Sequence, residues 1–110
     1  MVYFNKKFSA DGYNWDSKGE YEYYQELCLL KKVGEIIIFK VKPKIILQEK
    51  PKITFTPDFI VYKHGLTEFV DVKGRGYKRS IGWPAWNIKW KWLQGKYIND
   101  KNYKFKIVEL

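Results

Sequence analysis

Two acids and a lysine stand within neighbouring apolar segments in the middle of the chain. Asp58 lies in the segment 53–62, and Asp71 and Lys73 lie in the segment 66–73. Side chains alternate between faces along a strand, so Asp71 and Lys73 share one face. Acids inside such apolar runs are costly to pack without compensation. We therefore expect these three side chains to form a site.

The link 63–65 between the two segments is short and ends in Gly65. Such a link is typical of an antiparallel hairpin, which would bring Asp58 to the side of Asp71 and Lys73 near one sheet edge. Two adjacent carboxylates repel each other, and burial adds to the cost. A divalent cation removes that cost, and ligands that are all oxygen favour Mg²⁺, with Mn²⁺ as a substitute. The chemistry this suits is metal-assisted hydrolysis of a phosphodiester.

Glu20 is a further candidate for the same site. It lies in line with Leu27 on a predicted helix, hence on the core side, from which it could reach the sheet. The motif SKGE at 17–20 is also a capping box, in which Ser17 caps the helix and the Glu20 carboxylate accepts from the Ser17 amide. Both roles stay open for Glu20.

Apolar periodicity predicts the elements that must position these residues. Helices are expected at 17–33 and 83–97, strands at 53–62, 66–73 and 103–110, and short strand or edge pieces at 36–39 and 44–47. The order α-β-β-β-α-β implies an α/β fold with a central mixed β-sheet flanked by helices. We expect residues 1–15 to form an N-terminal hairpin or arm and residues 16–110 to form one domain.

Five large residues recur at steps of three and four on the second predicted helix. They are Trp83, Trp86, Trp90, Leu93 and Tyr97. This spacing favours a buried helix face, and a platform on which nucleic-acid bases stack is the less favoured alternative.

Composition limits the partners. The 110 residues suit a single domain, and 21 Lys and Arg against 12 Asp and Glu give a formal charge of +9. This charge favours a polyanion, with nucleic acid first and an anionic membrane or a ribosomal site as alternatives.

No segment is long and apolar enough to predict a membrane span or a signal peptide, so a cytoplasmic protein is expected. The single Cys28 is expected to be a small core residue.

Basic residues near the acids are candidate contacts for a phosphate backbone. Arg75, Lys78 and Arg79 lie in the Gly-rich segment 74–82, expected to be a mobile loop. Lys89 and Lys91 on the second helix are either a solvated face or further backbone contacts. His64, in the predicted turn, is expected to be a bystander.

The three acid-bearing motifs carry a resemblance to a known family. SKGE at 17–20, TPDF at 56–59 and DVKG at 71–74 resemble the PD-(D/E)XK nuclease superfamily. More closely, they resemble the phage endonuclease I type of Holliday-junction resolvase and its small phage relatives. The likeness covers roughly residues 13–110.

This resemblance implies a restriction-endonuclease-like core and Mg²⁺-dependent cleavage of branched DNA. It makes Glu20, Asp58 and Asp71 the metal-site carboxylates and Lys73 the catalytic lysine. It also implies a phage or prophage protein that acts in the bacterial cytoplasm. Symmetric cutting of a four-way junction needs two sites, so a homodimer is expected.

Two residues depart from the pattern, and two alternative functions remain. Asp71 stands where members of this group often have Glu, and Lys42 stands where they often have Gln. One alternative is a nuclease of the same fold acting on nicked, flapped or duplex DNA. The other is a non-catalytic basic nucleic-acid-binding module, in which Asp58 is an edge-strand acid and Asp71 and Lys73 form an exposed ion pair.

Overall fold

The computed structural model describes residues 7–110 of the chain, which form a mixed α/β fold. Two helices and eight strands lie within these residues. In chain order they are β1 (Phe8–Ala10), β2 (Tyr13–Trp15), α1 (Lys18–Lys32), β3 (Ile38–Val41), β4 (Ile45–Gln48), β5 (Ile53–Phe55), β6 (Phe59–Lys63), β7 (Leu66–Lys73), α2 (Trp83–Lys96) and β8 (Tyr103–Glu109). A 3₁₀ turn at Tyr77–Arg79 precedes α2.

The central sheet has four strands in the order β3-β6-β7-β8. β6 pairs antiparallel with both β3 and β7, whereas β7 and β8 run parallel. The sheet is therefore mixed, as the sequence predicts. The predicted hairpin is confirmed: β6 and β7 pair from Lys63 opposite Leu66 to Phe59 opposite Val70. Two further hairpins, β1–β2 and β4–β5, lie outside this sheet.

The two helices cover opposite faces of the central sheet. On one face, Leu27 of α1 packs with Phe59, Val61 and Val70. On the other face, the buried residues of α2 pack against sheet residues that alternate with those of the first face. The α2 face contains Ile60, Phe69, Phe105 and Ile107. Asp71 and Lys73 follow Phe69 at period two and lie toward this second face.

The predicted strand 53–62 is in fact two strands. β5 ends at Phe55 and pairs with β4, whereas β6 begins at Phe59 and pairs with β3 and β7. The fully buried Pro57 lies in the break, where its missing amide hydrogen costs no strand pairing. Asp58 therefore stands immediately before a strand and not in the middle of one.

Both predicted helices are present, and two local predictions need correction. Ser17 caps α1, and Gly34 follows its end at φ +82°, a left-handed conformation that glycine adopts readily. Cys28 is exposed, because it lies about 100° around α1 from the buried Leu27. The segment 74–82 is not wholly a loop, since it contains the 3₁₀ turn.

The N-terminal segment forms the β1–β2 hairpin over its described part, and residues 1–6 of the predicted arm lie outside the described residues. Within residues 7–110, neither helix has the length and apolar character needed to cross a membrane.

Candidate active site

A cleft of about 510 Å³ opens where β7 ends, bounded by the first turns of α1 and α2. It brings together all four predicted site residues, Glu20, Asp58, Asp71 and Lys73. The rest of its lining is Asp16, Ser17, Thr56, Val72, Gly74, Arg75, Gly76, Tyr77, Ser80, Gly82, Trp83 and Trp86. Residues from four stretches of sequence, 16–20, 56–58, 71–77 and 80–86, thus meet at one end of the sheet.

Asp58 and Asp71 are held side by side by the β6–β7 hairpin. The pairing of Phe59 with Val70, continued by one residue, sets Asp58 opposite Asp71. The Asp58 amide donates to Asp71 Oδ1 at 3.1 Å, and the Val72 amide donates to Asp58 Oδ2 at 2.7 Å. Each carboxylate therefore caps the backbone of the other strand, and each keeps one oxygen free of these backbone bonds.

Lys73 is the cation of this group. Its Nζ lies 2.7 Å from Asp71 Oδ2 and 3.9 Å from the centre of the Trp86 ring. The period of two along β7 places Asp71 and Lys73 on one face, as predicted. One ammonium faces two carboxylates, so the group carries an excess negative charge when both acids are ionised.

Burial raises the pKa of both acids, and for Asp58 the charge of Asp71 adds to the rise. Desolvation, and then the charges of Asp71 and Glu20, raise the pKa of Asp58 from 3.8 to about 8. Desolvation also raises the pKa of Asp71, opposed by Lys73. In both cases the charged form lacks the solvation or the counter-charge that would stabilise it. The pair thus favours an added cation or a proton.

Glu20 is nearly fully buried, with 3% of its surface exposed, and it is held in a separate ion cluster. Its Oε1 lies 3.3 Å from Lys42 Nζ, an ion-pair contact without the geometry of a hydrogen bond. Lys42 Nζ also lies 3.6 Å from Asp16 Oδ2 and donates to the Asn14 carbonyl. Burial raises the pKa of Glu20, and the charge of Lys42 opposes the rise.

The capping box predicted at 17–20 is half confirmed. The Glu20 amide donates to Ser17 Oγ at 3.1 Å, so Ser17 caps α1. The reciprocal bond is missing from the hydrogen bonds of residues 7–110, because the Glu20 carboxylate faces Lys42. Helix capping therefore does not account for the buried carboxylate of Glu20.

Within residues 7–110, no three His, Cys, Asp or Glu side chains lie close enough together to hold a metal ion. Asp58 and Asp71 still offer a pair of adjacent carboxylates, and Glu20 offers a buried oxygen without a hydrogen bond. This donor set consists only of oxygen, which fits Mg²⁺ or Mn²⁺ in chemistry.

The predicted DNA contacts separate into two groups. Arg75 lines the cleft, and Lys78 and Arg79 are exposed on the adjoining 3₁₀ turn. Lys89 instead donates to the Thr54 carbonyl at 3.0 Å and so ties α2 to β5. Lys91 is exposed and lies outside the cleft lining.

Sequence analysis missed the residues that complete the cleft wall. Trp83 and Trp86 were expected on a buried helix face, yet both line the cleft with Tyr77. Their place in the first turn of α2, directly after the basic segment, was the available signal. In the sequence Lys42 stands out only as a departure from the family pattern, and nothing there indicates its ion pair with Glu20.

Comparisons with known proteins give a family without an assigned activity. No curated protein and no solved structure matched the chain. One family model matched, described as a protein of unknown function (DUF1064), over residues 1–108. Because this match covers nearly the whole sequence, the chain belongs to the DUF1064 family.

Proposed function

We propose that this protein is a divalent-metal-dependent endonuclease that hydrolyses phosphodiester bonds in DNA. The observation that carries the proposal is the pair of buried carboxylates, Asp58 and Asp71, with the Lys73 ammonium 2.7 Å from Asp71 in an open cleft. An acid pair that burial keeps short of counter-charge is typical of a site that works with a cation.

Asp58 and Asp71 would hold Mg²⁺, or Mn²⁺ in its place. Glu20 faces Lys42 in the structure and would add a third carboxylate once its side chain turns toward the pair. The cation, when bound, would lower the pKa of a water molecule and neutralise negative charge on the reacting phosphate. Asp71 fixes the Lys73 ammonium at the carboxylate pair. From there Lys73 orients the attacking water or stabilises negative charge on the phosphate. Trp86 covers Lys73 and limits its hydration.

For the substrate we propose branched DNA, with a four-way junction as the leading form. The support is the likeness of the SKGE, TPDF and DVKG motifs to phage Holliday-junction resolvases, together with the charge of +9. On this proposal the fold is a restriction-endonuclease-like core, and the protein acts as a homodimer encoded by a phage or prophage and working in the bacterial cytoplasm. Two copies would place two clefts on one junction.

One assay distinguishes the proposed function from its two alternatives. One is a nuclease with this core that prefers nicked, flapped or duplex DNA, and the other is a basic nucleic-acid-binding module without activity. Purified protein is incubated with labelled four-way junction, flap, nicked duplex and intact duplex, each in Mg²⁺ and in EDTA. We expect cleavage of the junction in Mg²⁺ and none in EDTA.

Preference for a flap or nick would keep the enzyme class and change the substrate. Cleavage that persists in EDTA would overturn the metal assignment. If all four substrates stay intact in both Mg²⁺ and Mn²⁺ while DNA is bound, the binding module is the better account.

A further inference from the structure

An aromatic ladder runs along α2 from the core into the cleft. The ring centres of Trp90 and Trp86 are 5.1 Å apart at 19°, and those of Trp86 and Trp83 are 5.3 Å apart at 27°. Trp90 is buried, whereas Trp86 and Trp83 are only partly buried and line the cleft. The ladder therefore continues without a break from the packed core to the cleft wall.

The ladder touches the proposed reaction centre directly. Lys73 Nζ lies 3.9 Å from the centre of the Trp86 ring and 2.7 Å from Asp71 Oδ2. A single side chain thus separates the carboxylates from the aromatic wall. In a nucleotide one sugar likewise separates the phosphate from the flat base. A phosphate at the carboxylates could therefore have its base at the aromatic wall.

Trp83 is the terminal ring of the ladder. The Trp86 ring already contacts the rings of Trp90 and Trp83 and the ammonium of Lys73. Trp83 has Trp86 on one side and meets Tyr77 edge to face, at 5.1 Å and 75°. The Tyr77 hydroxyl donates to Glu109 Oε1 of β8 at 2.8 Å, which fixes the ring at the cleft wall.

We infer that Trp83, with Tyr77, forms a stacking subsite for an unpaired nucleobase next to the place where Lys73 and a cation at Asp58 and Asp71 would hold the phosphate. This inference rests on the proposed function for the position of the phosphate and adds a substrate class to it. Aromatic rings accept any base face, so the subsite is tolerant of sequence.

The subsite selects DNA that exposes a base. A base inside a duplex is stacked on both faces by its neighbours and must leave the stack to reach an enzyme's aromatic ring. That cost is lowest at a single strand, a flap or a branch point. The protein is therefore expected to bind single-stranded DNA in preference to an intact duplex of equal length.

The test measures binding in EDTA, so that its result does not depend on cleavage. The probes are fluorescently labelled oligothymidylate and an intact duplex of equal length. The variants are Trp83→Leu, Trp83→Phe and the control Trp92→Leu, which removes a partly buried Trp of α2 outside the cleft lining. Thermal unfolding identifies any variant that fails to fold.

Stacking on one aromatic ring contributes roughly a five- to hundredfold factor in affinity. We expect Trp83→Leu to weaken oligothymidylate binding by about this factor and to leave duplex binding unchanged. Trp83→Phe and Trp92→Leu should each remain close to the wild type. Oligothymidylate should also quench tryptophan fluorescence in the wild type and much less in Trp83→Leu.

Equal loss of single-strand and duplex binding in Trp83→Leu would overturn the subsite, as would no loss at all. A loss in Trp92→Leu that matches the loss in Trp83→Leu would also count against it. A different result, the absence of cleavage of any substrate in Mg²⁺, would contradict the proposed function. A chain without cleavage but with a Trp83-dependent preference for single strands would keep the subsite and reject the enzyme.

Discussion

Two buried groups of acids and lysine lie at the same cleft, and they differ in charge balance. In the first, Glu20 faces Lys42, which is also near the exposed Asp16. In the second, Asp58 and Asp71 share Lys73. The first group has one buried carboxylate for one ammonium. The second group has two buried carboxylates for one ammonium.

The Glu20–Lys42 pair is neutral as it stands, whereas the Asp58–Asp71 pair keeps an excess of negative charge beside Lys73. The pKa is raised for the buried acids of both groups, so burial alone does not distinguish them. Only the Asp58–Asp71 pair places two carboxylates side by side, with Asp58 reaching a pKa of about 8. An excess of buried negative charge is what a divalent cation can relieve.

The largest effect is expected from Asp58→Asn. The amide oxygen can still accept from the Val72 amide, so the hairpin should keep its geometry. The variant loses one of the two charges that hold the cation, whose contribution to the reaction is worth several kcal/mol. Junction cleavage in Mg²⁺ should fall by about a thousandfold or more. A fully active Asp58→Asn would remove the second group from the mechanism.

Lys73→Ala should have the next largest effect. Loss of one positioned charge at a reacting oxyanion costs roughly a hundred- to thousandfold in rate. Lys63→Ala is the matched control, because Lys63 pairs with Glu68 at 3.5 Å on β6 and β7 outside the cleft lining. Single-turnover cleavage should fall only in Lys73→Ala, and junction binding should survive in both. Equal cleavage by the two variants would contradict the role of Lys73.

Lys42→Met tests the balanced group through stability. The substitution leaves the buried Glu20 carboxylate without a partner. The free energy of unfolding should therefore fall by about 1–3 kcal/mol. The double variant Lys42→Met with Glu20→Gln should recover most of that loss, since no unpaired charge remains. Urea denaturation of the two single variants and the double variant gives the coupling. A double variant as unstable as the sum of both single variants would show that the ion pair contributes no coupling.

The last expected effect is on stability as a function of pH without metal. Because the folded chain raises the pKa of Asp58 from 3.8 to about 8, it holds more protons than the unfolded chain between these values. The free energy of unfolding should therefore be highest at the acid end of this window and fall as the pH rises toward 8. Asp58→Asn should flatten the fall. Denaturant titrations across the window, in EDTA at constant salt, measure it.

The sequence predicted the unbalanced group better than the balanced one. Asp58, Asp71 and Lys73 lie on one hairpin, where a short turn and a period of two fix the geometry locally. The partner of Glu20 depends on Lys42, which lies beyond the edge strand β3 at φ +49°, bonded through its amide to the Asp58 carbonyl. Pairing between distant strands and a left-handed backbone are not encoded in local periodicity.

The cleft wall shows a second limit. The spacing of Trp83, Trp86 and Trp90 predicts one helix face, and Trp90 is indeed in the core. The same face continues past the point where the sheet can cover it, so Trp83 and Trp86 line the cleft. Periodicity gives the face of a helix but not the length over which a partner covers it.

The most direct test of the central claim is calorimetric titration of Mn²⁺ into the wild type, Asp71→Asn and Glu20→Gln. The titration requires no DNA. We predict that the wild type binds Mn²⁺ and that Asp71→Asn binds it at least about tenfold more weakly, since even the loss of a residue that only supports a metal ligand costs about that much. The affinity of Glu20→Gln should lie between the two. Binding by Asp71→Asn that equals the wild type, or no binding of Mn²⁺ to the wild type, would contradict the assignment of Asp58 and Asp71 as a metal site.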